Sequence, residues 1–247
     1  MIGLSNALDP QAHAARYARS RRLQIRDVLA PEGAEAVLRS LQTETPWGVA
    51  FNDGPNVTQV TASQAARLSL DQQRQILGGI HERARSQFQF FYNFYPLSKA
   101  YFSADAPCAT LAALFEYLNG GEFLDFIRAV TGLRTIRWAD AHATLYRAGH
   151  FLKYHTDEND KEHRLAAYVL NFTKDWGRDW GGYLQFFDQG YDIEQAYRPV
   201  FNALNLFAVP SDHSVGMVAA YAPGSRYSIT GWFREDEPPG PIPRGSR

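Results

Sequence analysis

The residues with the most chemical potential form the stretch Tyr154-His155-Thr156-Asp157. In an extended strand, side chains at i and i+2 point to the same side. His155 and Asp157 can therefore bring an imidazole nitrogen and a carboxylate oxygen to one point. A further imidazole from a distant strand would complete three donors on one face, and His213, read as the end of an apolar strand, is the candidate. Two histidines and one carboxylate with the opposite face open form the donor set of a non-haem Fe(II) centre, where an oxidant and a co-substrate can reach the metal. Alone, His-x-Asp is a weak signal, because a strand-end His and Asp facing water give the same tripeptide.

A second constellation is Arg226-Tyr-Ser-Ile-Thr-Gly-Trp232. Strand alternation puts Arg226, Ser228, Thr230 and Trp232 on one side, and Tyr227, Ile229, Gly231 and Phe233 on the other. A guanidinium and a hydroxyl two residues apart make a carboxylate receptor, since arginine engages a carboxylate through paired charge-assisted hydrogen bonds. The alternative is a structural ion pair with an internal Asp or Glu, because a buried guanidinium is expensive without a partner. The order of the pieces adds weight. His-x-Asp is followed by an apolar strand from Leu165 to Phe172, a Gly-Gly-initiated strand from Gly181 to Phe187, His213, and the Arg226 strand.

The rest of the chain must position these groups. Its 247 residues are 45% hydrophobic and 21% charged, which suffices for one large domain or two small ones. A net charge of -1 offers no general attraction to nucleic acid or anionic membrane, so neither is expected as a partner. The 16 Phe, 13 Tyr and 5 Trp favour a β-rich core with aromatic-lined pockets. A single cysteine, Cys108, excludes an intrachain disulfide framework and a cysteine-rich zinc site. It reads as a small buried or loop residue and fits a reducing compartment. The N-terminus has no charged-then-apolar signal pattern, and no apolar run approaches 18 residues. A soluble cytoplasmic protein is expected.

In chain order, residues 1–20 suggest a short helix or a frayed end. Leu23 to Val28 suits a strand, and Pro31 opens a helix of about three turns with Ala34, Val37, Leu38 and Leu41 on its apolar face. Trp47 to Phe51 reads as a strand. Asn52 to Thr61 carries turn signals and reads as a surface turn, with a flap over a site as the alternative. Ser69 to Phe94 is expected to be one helix, with Ser69 as cap and Ile76, Ile80, Ala84 and Phe88 on one side. Leu111 to Val130 reads as helical with a break at Gly120-Gly121. These helices are expected to cover one face of a sheet. From Ile136 the pattern changes to short apolar runs separated by Gly, Asp, Asn and Pro, which indicates a sandwich or barrel. No internal repeat or interdomain linker is visible. The Pro-rich charged stretch 235–247 is expected to be disordered.

The set His155-x-Asp157, His213 and Arg226-x-Ser228-Ile-Thr-Gly-Trp232 resembles the Fe(II)/2-oxoglutarate-dependent dioxygenases, most closely the prolyl 4-hydroxylase-like group, with its hypoxia-factor prolyl hydroxylases and yeast ribosomal hydroxylases. Further matching pieces are Leu170-Asn171 with Lys174-Asp175-Trp176, Gly181-Gly-Tyr-Leu-Gln-Phe-Phe187, and Pro199-Val-Phe-Asn-Ala-Leu204-Asn-Leu-Phe207. The likeness spans residues 136–234.

The resemblance implies an α+β chain with a double-stranded β-helix (jelly-roll, cupin-like) core and N-terminal helices packed on one sheet. Residues 1–234 would form one oxygenase domain, mainly helical over 1–135, with the site motifs in 136–234. It makes His155, Asp157 and His213 the iron ligands, and gives Arg226 the distal carboxylate of 2-oxoglutarate, aided by Ser228 or Thr230. Tyr146 falls where the family carries an active-site tyrosine, with core packing as the alternative. Trp232 would wall the pocket. Fe(II), 2-oxoglutarate and O2 are the implied cofactors, with ascorbate a candidate addition. The implied reaction is hydroxylation of an unactivated C–H bond, in a prolyl residue of a protein or peptide. A free amino acid or other small molecule is the second reading, and a non-catalytic jelly-roll binding protein the third. The oligomeric state is not legible. This chain departs from the pattern in two ways. Arg226 follows His213 by thirteen positions, which suggests a small insertion around Ala219 to Gly224. Val169 stands where some prolyl hydroxylases carry a carboxylate-binding tyrosine, with Tyr168 on the opposite face. His150 and His163 flank the motif without a carboxylate at i+2, and His81 reads as a solvated surface residue.

Overall fold

The C-terminal apolar runs pair as antiparallel strands, and the N-terminal helices lie against their outer face. The computed structural model describes residues 2–103, 108–159 and 162–242. In chain order these form α1 (Pro10–Ser20), β1 (Arg22–Arg26), α2 (Pro31–Thr43), β2 (Gly48–Asp53), β3 (Asn56–Val60), α3 (Ala62–Ala65), α4 (Leu70–Ala84), β4 (Phe90–Tyr95), α5 (Leu97–Phe102), α6 (Ala109–Leu118) and α7 (Gly121–Thr131). The strands β5 (Trp138–Ala139), β6 (His142–Tyr146), β7 (Phe151–His155), β8 (Arg164–Asn171), β9 (Leu184–Phe187), β10 (Ile193–Tyr197), β11 (Ala203–Ala208), β12 (His213–Val215) and β13 (Arg226–Arg234) follow.

Local chemistry explains the helices. Asp9 caps α1 by accepting from the amides of Gln11 and Ala12, and Pro10 sits at the first helical position, so the uncertain N-terminus is an ordered helix. Pro31 opens α2, which buries Ala34, Val37, Leu38 and Leu41 as its spacing predicts. Ser69 and Gln72 form a reciprocal capping box at the start of α4. That helix ends at Ala84, well short of the Phe94 expected from the sequence. The run Phe90-Phe-Tyr-Asn-Phe-Tyr95 is strand β4 instead, paired with β2, β6 and β7. Consecutive aromatics favour a pleated surface, and this tertiary context overrides the i+4 pattern that reached Phe88. Phe88 itself is 45% exposed. Strand β10 and helix α5 also escaped the sequence reading.

The strands form one antiparallel sheet in the order β1-β11-β8-β13-β6-β4-β7-β12-β9-β10, with β2–β3 branching from β4 and β5 from β13. Its two end strands meet through side chains. Arg22 of β1 forms an ion pair with Glu194 of β10 and donates to Gln195 Oε1 at 2.9 Å, while Gln24 donates to the carbonyl of Arg198. The result is a nearly closed barrel, as the double-stranded β-helix expectation requires.

Period-2 alternation divides the sheet into two faces. Ala166, Tyr168 and Leu170 of β8, Leu204 and Leu206 of β11, and Ile229 and Phe233 of β13 face the helices and form the larger core with α2, α6 and α7. Ala167 and Val169 of β8 and Phe207 of β11 point the other way, into a second cluster with Tyr146, Leu184, Phe186 and Val215. That inner face bears the candidate site. Residues 235–242 follow β13 without regular structure. Asp236 accepts from the Trp138 indole, and Ile242 packs against the larger core. The remainder of the stretch expected to be disordered, 243–247, lies outside the described residues. Among the described residues, no helix is long and apolar enough to cross a membrane.

Candidate metal centre and its pocket

The site begins with an irregularity in β7. His155 pairs with His213, and Leu152 with Val215, so three steps on β7 face two on β12. This extra residue is a β-bulge, a device that re-aims side chains. Leu152 and His155, which strict alternation would separate, both line the inner cavity. Asp157, two residues on, joins them. His213 opens β12 rather than closing the preceding strand, which ends at Ala208.

His155, Asp157 and His213 each offer a ligand atom, and these atoms lie within 4.8 Å of one another. His155 Nε2 is 3.4 Å from Asp157 Oδ1, and His213 Nε2 is 3.4 Å from Asp157 Oδ2. The imidazole centroids are 4.2 Å apart. Both Nδ1 atoms are occupied: His155 Nδ1 donates to the Lys153 carbonyl at 2.9 Å and His213 Nδ1 to the Ser211 carbonyl at 2.8 Å. A carbonyl only accepts, so Nδ1 carries the proton and the Nε2 lone pair of the neutral ring faces the shared point. Burial pushes the Asp157 carboxyl upward. The two imidazoles beside it and the Trp232 indole outweigh this and hold the group at about 2. Burial lowers His213 below the ordinary histidine value, partly offset by Asp157. A carboxylate kept ionised beside imidazoles with free lone pairs is a donor set for a divalent cation.

The cavity around this triad has a volume of about 730 Å³. Arg226 lies within it, 1% exposed, with Nε and Nη1 lacking any hydrogen-bond partner. Its guanidinium sits 4.9 Å from the Tyr146 ring centroid. Among the described residues no carboxylate forms an ion pair with it, so the structural-ion-pair alternative does not hold. Burial lowers its affinity for a proton. Near its stem stands Gly182, at φ +66°, where an added Cβ would press on Val218 at 3.1 Å and Trp176 at 3.2 Å and would meet Arg226 Cδ at an ordinary contact distance of 3.7 Å.

The other expected residues divide. Tyr146 lines the cavity and stacks on Tyr92, with centroids 5.1 Å apart. Burial raises its phenol well above the ordinary value, so it stays protonated. Thr230 lines the cavity, and its Oγ1 is 2.8 Å from His142 Nε2. Ser228 is fully buried behind Thr144, with their hydroxyls 2.8 Å apart. Trp232 walls the cavity beneath the Arg164 guanidinium, which lies 3.5 Å from its ring centroid. Val57, in the hairpin of β2 and β3, also lines the rim, so the segment read as a surface turn reaches the site. His150 is buried against Phe91, His163 lies near Glu235, and His81 is exposed, all away from the triad.

Sequence reasoning missed Tyr92, His142 and Arg164. Tyr92 was hidden in the segment read as helix. His142 and Arg164 begin strands β6 and β8, and alternation toward Thr144 and Tyr146 could have placed His142 on the inner face. Burial lowers His142 to about 4, so it is neutral at pH 7.

Residues 141–234 match the model of the 2OG-Fe(II) oxygenase superfamily. None of the curated proteins matches the chain in sequence. Among solved structures, a Pseudomonas putida prolyl-4-hydroxylase aligns at 18% identity and TM-score 0.53, over 93% of this chain and 100% of that one. A 2OG-Fe(II) oxygenase family oxidoreductase from Burkholderia pseudomallei aligns at 11% and 0.60, over 94% of both chains. A prolyl hydroxylase from Trichoplax adhaerens, in complex with a hypoxia inducible factor peptide fragment, aligns at 16% and 0.55, over 91% and 89%. At these identities the structural likeness concerns the fold. The matched segment contains all three members of the His-Asp-His cluster, the donor set to which that superfamily's Fe(II), with 2-oxoglutarate and O2 as its co-substrates, corresponds.

Proposed function

We propose that His155, Asp157 and His213 hold Fe(II), that Arg226 takes the distal carboxylate of 2-oxoglutarate, and that the chain hydroxylates a prolyl residue of a protein or peptide. The observation that carries this reading is the buried, unpartnered guanidinium in the same cavity as the three-donor cluster. An isolated buried cation is costly. A diacid supplies the missing charge at one end and leaves its other end free for the metal.

When bound, the metal and its cosubstrates supply the oxidation: 2-oxoglutarate loses CO2 to become succinate, which keeps one atom of O2, while the other enters the substrate C–H bond. The chain's own residues bind, orient and exclude water. Both imidazoles are fixed by their Nδ1 bonds to backbone carbonyls, which aims Nε2 without help from the metal. Thr230, further along the same strand at the cavity wall, presents a hydroxyl that His142 orients. Ser228 acts one layer behind, through Thr144. Tyr146 covers the guanidinium with its ring face and keeps water from it. Residues 1–234 work as one domain in this reading, and a reducing, cytoplasmic setting suits a ferrous centre and a single cysteine.

Purified protein supplied with Fe(II) and 2-oxoglutarate should release succinate, and a proline-bearing peptide should raise that release and gain one oxygen atom. No succinate under any condition would reject the oxygenase assignment for this site. Stimulation by free amino acids but not by peptides would move the substrate to the small-molecule class.

A further inference from the structure

We infer that Phe88 is a positioning residue for the metal ligand His155, and that Lys153 holds both the Phe88 segment and the imidazole. The inference rests on the proposed three-donor centre and adds what fixes its most accessible member. The His155 side chain is 16% exposed, against 8% for Asp157 and 5% for His213. Its Nδ1 bond to the Lys153 carbonyl, at 2.9 Å, restrains the ring at one edge. Two aromatic rings meet it among the described residues: His213 at a centroid distance of 4.2 Å and Phe88 at 5.3 Å, tilted by 41°. His213 is itself a candidate ligand. Phe88 is therefore the neighbour, outside the donor set, that keeps the imidazole from turning away.

Phe88 stands between α4 and β4, 45% exposed, where an aromatic on an untied loop would not hold one place. The chain is tied on both sides of it. Before it, the Lys153 ammonium donates to the carbonyls of Ala84 at 2.7 Å and Gln87 at 2.6 Å, a cation placed at the carbonyl end of α4. After it, the Gln89 carbonyl accepts from the Lys153 amide at 3.0 Å. The fully buried Gln89 side chain accepts from the amides of Asn52 and Phe90 and donates to the Asn52 carbonyl. These bonds extend the pairing of β2 with β4 past Phe51 and Phe91. Lys153 thus reaches both chain neighbours of Phe88 with its ammonium and amide, and His155 with its carbonyl. A ligand oriented by such supporting groups loses metal affinity when they are removed.

The test loads the full chain with Co(II), which imidazole and carboxylate donors also bind, under nitrogen and without 2-oxoglutarate. The visible spectrum of the bound ion reports ligand geometry, and its decay in excess EDTA reports release. Phe88→Ala should release Co(II) about tenfold faster and change the spectrum, whereas Phe88→Tyr, which keeps the ring, should do neither. Lys153→Met should repeat the effect of Phe88→Ala, and Lys153→Arg, which keeps a donor cation, should restore slow release. Unchanged release and spectrum in Phe88→Ala overturn the inference, even where that variant melts at a lower temperature. So does equal acceleration by Phe88→Tyr, or normal release from a folded Lys153→Met. If Lys153→Met fails to fold, the two Phe88 variants decide alone. Unsubstituted protein that takes up no Co(II) rejects the three-donor centre, and the inference falls with it. Uptake followed by equal release from every variant rejects the inference alone.

Discussion

His155 and His213 face each other as direct partners across β7 and β12, and Asp157 bridges their Nε2 atoms with one oxygen each at 3.4 Å. Such a pair of strands holds the donors in place before any metal arrives. Replacing His155 or Asp157 by Ala should cut Fe(II) affinity and 2-oxoglutarate-dependent succinate release by at least about a hundredfold, because a lost ligand costs more than the 10–100-fold typical of its supporting partners. Isothermal titration with Fe(II) under nitrogen, alongside succinate release, measures both. Retention of full metal affinity by either variant would remove that residue from the centre.

Arg226 stores free energy in the unliganded protein. Its buried Nε and Nη1 have no partners, so the apo chain bears a desolvated charge that ligand binding would relieve. Arg226→Met keeps the stem volume and removes the charge. It should stabilise the apo protein by about 1–3 kcal/mol while raising the 2-oxoglutarate requirement at least about a hundredfold. Thermal melts without ligand, set beside the 2-oxoglutarate dependence of succinate release, test the two effects together. A destabilised variant would mean that the guanidinium has a compensating partner.

Gly182 links the loop before β9 to the same guanidinium. Its φ of +66° lies in the left-handed region, and a Cβ there would crowd Val218 and Trp176, which lie next to the Arg226 stem. Gly182→Ala should cost about 1–3 kcal/mol in chemical denaturation. It should also raise the 2-oxoglutarate requirement more than it lowers the maximal rate, since the displaced Val218 and Trp176 lie next to the Arg226 stem. An unchanged requirement would uncouple this loop from Arg226.

Much of this arrangement was legible in the sequence, for physical reasons. His155-x-Asp157 and Arg226 to Trp232 sit in strands whose period-2 pattern fixes faces, so alternation alone put Arg226 and Thr230 together. The β-bulge that turns His155 inward with Leu152 was not legible, because register shifts depend on the partner strand. Tyr92 was lost with β4, where Ile76, Ile80, Ala84 and Phe88 extended a helical pattern into an aromatic strand. Ser228 was correctly placed on the face of Arg226, yet Thr144 across the sheet takes up its hydroxyl. Partner choice of that kind is a property of pairing and is invisible in one strand.

Asp140 sets a stability limit behind Trp232. Burial pushes its carboxyl up to about 6, against the hydrogen bond from the Trp232 amide at 2.7 Å and the field of Arg234. A carboxyl raised in the folded state holds its proton more tightly there than in the unfolded chain. Its contribution is therefore fully present below about 4 and is lost as pH rises through about 6. Asp157, held at about 2, works in the opposite sense: its contribution is present above about 4 and fades as pH falls toward 2. Asp140→Asn keeps an acceptor for the Trp232 amide and removes the titration. Relative to this variant, the unsubstituted chain should lose up to about 3 kcal/mol of stability between pH 4 and 7, the equivalent of about two pKa units. Urea denaturation of both proteins across that range gives the difference directly, with other titrating groups cancelling. A pH-independent difference would show that Asp140 is ionised throughout, its charge already balanced by Arg234.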